Sequence, residues 1–180
     1  MRKKNIVELS RLTLEQAATS RKIAVIVVLD NIRSLQNVGA FFRTCDAFAA
    51  ERICLCGITA TPPNRDIHKS ALGAEQSVEW SYFQTTSQCV EELKRGGYTA
   101  IAIEQVEGGE MLDEVEVDPE KKYALIFGNE VMGVDDDVLA MCDGAIEIPQ
   151  AGTKHSINVS VAAGVILWSF FCKLKGTSKN

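Results

Sequence analysis

A chain of 180 residues with 46% hydrophobic residues is long enough for one domain with a sizeable core and too apolar to be disordered. A net charge of −5 argues against a simple electrostatic binder of nucleic acid. No apolar run approaches the roughly 20 residues of a membrane span, and Ile23 to Leu29 is too short and too internal for a signal peptide.

The charge is uneven along the chain. Arg2, Lys3, Lys4, Arg11, Arg21 and Lys22 face only Glu8 and Glu15 near the N-terminus, and Leu9 to Ala18 has helical spacing. Residues 1–20 therefore read as a short basic helical extension and 21–180 as the main domain; a merely solvated helix explains the same charges. Ile23 to Leu29 is β-branched and continuously apolar, as in a strand buried on both faces. A helix follows over Val38 to Ala49, then a strand over Arg52 to Cys56. Thr59 to Asp66 is a turn-rich loop, His68 to Leu72 a short helix and Val78 to Phe83 a short strand. Ser87 to Arg95 reads as a helix closed by Gly96-Gly97, and Tyr98 to Ile103 as a strand. Gly108 to Val117 reads as a loop with one helical turn. Ala124 to Phe127 is a strand, Asp135 to Met141 a helix, Ala145 to Ile148 a strand, and Val159 to Lys173 a long apolar helix. Strands alternating with helices predict an α/β fold with a mainly parallel sheet.

The six cysteines, 45, 54, 56, 89, 142 and 172, form no CxxC pair, and only His68 and His155 could join them at a metal. They read as reduced thiols, as in a cytoplasmic protein, with Cys54 and Cys56 on one strand face.

Chemistry concentrates where strands stop. One stops at Gly128-Asn129-Glu130 and another at Pro149-Gln150-Ala151-Gly152, before the polar loop Ser156-Ile157-Asn158. Ligands in α/β proteins bind beyond the carboxyl ends of strands, where backbone groups are free, and these loops suit a small ligand with an adenine-like edge. After the first strand comes Asn31 to Thr44, with no G-x-G-x-x-G fingerprint. Asn37 can cap the helix near Val38, Gly39 permits close backbone approach, and Arg43 can lie near Asn37. An Arg beside an Asn at a strand end can hold a phosphate; a plain cap and a surface cation explain the pair equally well.

These blocks resemble the three signature motifs of the SpoU (TrmH) family of RNA ribose 2′-O-methyltransferases in the SPOUT superfamily. Asn31 to Arg43 resembles the first motif, Ile126 to Gly133 with Ala145 to Pro149 the second, and Ser156 to Gly164 the third. The resemblance implies an α/β domain with a C-terminal trefoil knot, a feature nearly absent from proteins at large. It implies bent S-adenosylmethionine held at Gly128, Ile148 and Ile157, with a further contact at Ile103-Glu104. It also implies a homodimer, whose interface the final helix suits as well as the core does. Arg43 is the residue implied to act on the 2′-hydroxyl beside a phosphate. A guanidinium stays charged, so positioning ranks above proton abstraction. Asn37 would orient Arg43 or the ribose. Glu130 would hold the loop, balance Arg43 or simply accept backbone N–H groups. Ser156 and Asn158 would fix the last loop, Asn158 serving equally as a helix cap. Arg33, Arg43, Lys154 and His155 would touch RNA. No metal is expected, because a sulfonium is already activated. The short tail and the Gln150 to Ser156 loop look most like enzymes acting on the D-loop guanosine of tRNA, with wobble-ribose and rRNA targets as competitors. A non-catalytic RNA-binding subunit and an α/β nucleotide enzyme unrelated to RNA are the other classes compatible with the pattern.

Overall fold

The computed structural model describes residues 1–3, 5, 13–154 and 156–175. Within them the chain runs α1 (Leu14–Thr19), β1 (Ile23–Asp30), α2 (Leu35–Ala47), β2 (Ala50–Cys56), α3 (Arg65–Ala71), a 3₁₀ turn (Ala74–Gln76), β3 (Trp80–Phe83), α4 (Thr86–Arg95), β4 (Tyr98–Ile103), β5 (Glu110–Met111), β6 (Lys122–Phe127), α5 (Asp136–Leu139), β7 (Gly144–Glu147) and α6 (Val159–Lys175). The strands form one seven-stranded sheet in the order β3-β2-β1-β6-β4-β7-β5, parallel throughout.

Alternation of side chains divides the core in two. Val25, Val27 and Leu29 of β1 face α2, α3 and α6, together with Phe41, Phe42, Phe127 and Phe170. Ile26 and Val28 face the opposite layer, which holds Cys89, Val90 and Leu93 of α4 and Val138 of α5. Both faces of β1 are therefore dry, which is why its sequence lacks polar alternation. Phe41 meets Phe127 edge-on at 5.1 Å between centroids, and Tyr123 meets Phe170 at 5.3 Å. A methyl group at Gly39 would strike Ser70 Oγ and the Ile67 carbonyl, so this glycine serves the packing of α2 on α3 rather than a ligand. After β7 the chain returns to lay α6 on α2 and β1, a course that accords with a C-terminal knot.

Most expected elements are present, with shifted ends. Helix α2 starts at Leu35, because Ser34 Oγ accepts the Asn37 N–H at 3.3 Å; the cap is Ser34 and Asn37 lies inside the first turn. Helix α3 begins at Arg65, with Asn64 Oδ1 accepting from Asp66 N. The segment read as a loop at 108–117 contains the edge strand β5, two residues too short to show periodicity. Cys54 and Cys56 share the α4 face, as expected, and all six thiols are free. In the N-terminal segment, residues 6–12 lie outside the described residues; a capping box at Thr13 and Gln16 opens α1. No helix among the described residues is long and apolar enough to cross a membrane.

Candidate active site

The end of β6 turns back on itself. Asn129 and Gly133 exchange both backbone hydrogen bonds, at 2.8 and 2.9 Å, and Asn129 Oδ1 accepts from Val131 N and Met132 N. Gly128 lies against this turn: a Cβ there would strike the Gly133 carbonyl carbon and Val134 N. Gly133 has φ +73°, and Glu104 packs where its side chain would be. Glu104 Oε2 accepts from Val134 N at 3.1 Å and Oε1 from Gln105 N at 2.9 Å, tying the end of β4 to the loop after β6.

A second set of bonds joins the three motifs. Asn158 Nδ2 donates to Asn37 Oδ1 at 3.2 Å, and Asn37 Nδ2 donates to Glu130 Oε1 at 2.9 Å. Glu130 also accepts from Ser34 N at 3.0 Å and Arg33 N at 2.9 Å. Asn158 Oδ1 accepts from Ser160 N at 2.8 Å, so this residue caps α6 and links it to α2 at once. Burial alone would raise the Glu130 pKa; the Arg33 and Ser34 N–H groups and the Asn37 amide outweigh it, and the pKa lies below the ordinary value. Glu130 is thus a carboxylate held on the start of α2, and it makes no ion pair with Arg43.

A third set of bonds centres on Asp30, outside the three motifs. Asp30, 1% exposed, ends β1 and accepts from Thr86 Oγ1 at 2.5 Å, Asn31 Nδ2 at 2.9 Å and Asp135 N at 3.0 Å. Asn129 Nδ2 donates to the Asn31 carbonyl at 2.7 Å. The signal was present: an acidic residue ends an otherwise apolar strand, and an Asn precedes the acidic residue of the second motif.

The ends of β4, β6 and β7 and the start of α6 enclose a cleft of about 880 Å³, within the range of small-molecule sites. Ile103, Glu104, Gly128, Ile148 and Ile157 all line it, as do Glu130, Ser156 and Asn158. Arg33, Asn37, Arg43 and Lys154 do not. Asn37 is buried behind Glu130, while Arg43 is exposed on α2 and makes no hydrogen bond or ion pair with described residues. Asn37 and Arg43 are not brought together, because six residues of helix turn through about 600° and so place them on different sides. Arg33 and Lys154 are exposed, and His155 lies outside the described residues.

The cleft fits S-adenosylmethionine on its own chemistry. Isoleucines 148 and 157 offer apolar walls for a planar base, and free backbone groups at the strand ends can meet its edge. Glu104, Glu107, Glu130 and Glu147 give the lining a negative charge suited to a sulfonium. These features describe a parallel α/β transferase domain with its donor site at the carboxyl ends of three neighbouring strands.

Residues 24–168 match the SpoU rRNA Methylase family. The chain is 34% identical over 161 residues to the tRNA (guanosine(18)-2′-O)-methyltransferase of Thermus thermophilus, covering 89% of this chain and 81% of that one. It is similar to the TrmH/SpoU tRNA modifying enzyme of A. aeolicus (TM-score 0.81, 27% identity, 91% of this chain and 82% of that one). It is also similar to an AdoMet-bound rRNA methyltransferase of Sinorhizobium meliloti (TM-score 0.78, 25% identity, 86% of this chain and 58% of that one). The protein belongs to the SpoU methylase family. It is an RNA ribose 2′-O-methyltransferase that uses S-adenosylmethionine.

Proposed function

We propose that the protein methylates tRNA, with a guanosine of the D-loop as target. The chain Asn158–Asn37–Glu130 carries the reading of the site, since it holds all three motifs together at the cleft mouth. Similarity to the Thermus enzyme over 89% of the chain supports the target.

S-adenosylmethionine supplies an electrophilic methyl carbon. Gly128, Ile148, Ile157 and the Ile103–Glu104 strand end hold the donor. Ser156 and Asn158 face the incoming ribose from the cleft wall. Glu130 and Asn37 fix the start of α2 and so position the helix that carries Arg43. Arg43 binds the phosphate beside the reacting hydroxyl and lowers the cost of its deprotonation. Arg33, Lys154 and His155 add phosphate contacts at low structural cost, the first two being exposed. Arg43 does not line the cleft of its own chain, so RNA or a second copy must bridge the two.

The active form is a homodimer in the cytoplasm. Helix α6 buries Ala163, Ile166, Leu167 and Phe170 in the core. Its other side exposes Val161, Val165 and Trp168, at 55%, 40% and 56%, in one stripe at helical spacing.

Single-turnover methylation of total tRNA at saturating RNA tests the assignment, with the product position mapped by primer extension. Arg43→Ala is expected to lower turnover by about 10²–10³-fold with cofactor affinity unchanged. Arg43→Lys should not restore activity, because an ammonium lacks the planar fork. Near wild-type turnover in the alanine variant would move the catalytic assignment to Ser156 or Asn158. Methylation outside the D-loop would refute the target.

A further inference from the structure

The turn after β6 holds two neighbouring apolar side chains out into water at the donor cleft. Val131 is 70% exposed and Met132 82%, and both line the cleft. Single exposed hydrophobes are ordinary on any surface. These two differ in how firmly they are presented. Asn129 and Gly133 close the turn through both backbone bonds, and Asn129 Oδ1 accepts from Val131 N and Met132 N at 2.9 and 3.2 Å. Asn129 Nδ2 ties the turn to the Asn31 carbonyl, Glu130 ties it to the start of α2, and Glu104 accepts from Val134 N. None of these bonds uses the side chain of Val131 or Met132. The turn therefore keeps its shape whatever stands at those two positions.

The reaction decides what meets them. The methyl group passes to a ribose 2′-oxygen, and the base hangs from the adjoining ring carbon, C1′. A nucleotide whose 2′-oxygen reaches a donor in this cleft brings its base to the cleft wall as well. That wall is divided by chemistry. Ser156 and Asn158 offer polar groups at the start of α6. The Glu130 carboxylate is committed to Arg33 N, Ser34 N and Asn37. The other exposed large hydrophobe of the lining, Ile157, belongs to the donor's wall. Val131 and Met132 remain, uncharged and facing water. The face of a base is apolar and polarisable, and unpaired bases of RNA are held by that face. A thioether is flexible and makes favourable contacts with rings of varied shape.

We propose that Val131 and Met132 seat the base attached to the methylated ribose: they hold its face by apolar contact, and so position the 2′-oxygen at the donor, without reading which base it is. Discrimination between bases then falls to groups that meet the base edge. The proposal rests on methylation of an RNA ribose, not on tRNA being the RNA.

Primer extension on total RNA after methylation identifies the nucleotide. Two transcripts of that RNA are then compared, one intact and one with an abasic ribose at the methylated position, by their Kd in the presence of S-adenosylhomocysteine. Met132→Ala is expected to weaken binding of the intact transcript about tenfold, and Val131→Ala by less. Neither change should weaken the abasic transcript further, because two losses at one contact do not add. Met132→Leu should bind as the wild type does, and affinity for S-adenosylmethionine should hold in all three variants. Equal weakening of both transcripts, or of neither, would overturn the proposal. So would a fall in mass by light scattering in Met132→Ala, which would assign the pair to a second copy of the chain. A methylated nucleotide outside the D-loop would refute the tRNA target alone, since the comparison is made on whichever nucleotide is methylated.

Discussion

Gly128 shows how one residue can matter for a reason its sequence context conceals. The glycine lines the cleft, yet a side chain there meets the backbone of Gly133 and Val134 before it meets any ligand. Backbone cannot rotate away as a side chain can, so Gly128→Ala is expected to displace the 129–133 turn and destabilise the protein by about 1–3 kcal/mol. Calorimetry should then show weakened S-adenosylmethionine binding; unaltered affinity in a folded variant would exclude this role. Glu130 works through neighbours as well. It accepts from Arg33 N, Ser34 N and Asn37 Nδ2, and glutamine keeps only one acceptor oxygen for them. Glu130→Gln should therefore cut turnover more than cofactor affinity, read by single-turnover methylation beside calorimetry. Its pKa is depressed in the folded protein, so its stabilising contribution is full above the ordinary carboxylate range and disappears as pH falls through the lower folded value. Denaturant midpoints followed down into acid should show a smaller acid loss in the glutamine variant than in the wild type.

Helix α6 is apolar on two sides for two reasons. Its inner side fills the core with Ile166, Leu167 and Phe170, while Val161, Val165 and Trp168 remain outside. Trp168 also joins a ring cluster, 5.8 Å from Phe48 and 6.2 Å from Phe171, which extends the apolar surface onto α2. A second copy of the same face would cover both. Val165→Glu is expected to give a folded monomer by light scattering at micromolar concentration, with wild-type protein at twice the chain mass. A wild-type monomer would leave the stripe without a partner and reject the dimer. Asn158 marks the start of this helix, and capping and coupling to Asn37 there are one arrangement rather than alternatives.

At the scale of the whole molecule, Asp30 joins elements that are distant in sequence. Its carboxylate meets the start of α4 through Thr86, the cap of α5 through Asp135 N, and the adjoining Asn31. Asp30→Ala would leave the buried Thr86 hydroxyl without this partner, at a cost of about 1–3 kcal/mol, measurable as a lowered denaturant midpoint at constant slope. The alternation of strand and helix and the buried β1 were legible in the sequence, because apolar runs are local signals; Gly128, Ile148 and Ile157 were singled out only by the family resemblance, and the fold brings them to one cleft. The edge strand β5 was not, since two residues carry no period. Nor was the true partner of Asn37: a side chain inside the first helical turn bonds outward to Glu130 and Asn158, 93 and 121 residues away. The fold class and the family were already readable in the amino-acid sequence. Only the folding of distant segments onto one another places Glu130 at the start of α2 and sets Arg43 apart from its own cleft. Those facts depend on hydrogen bonds and packing between segments whose spacing along the chain carries no trace of their meeting.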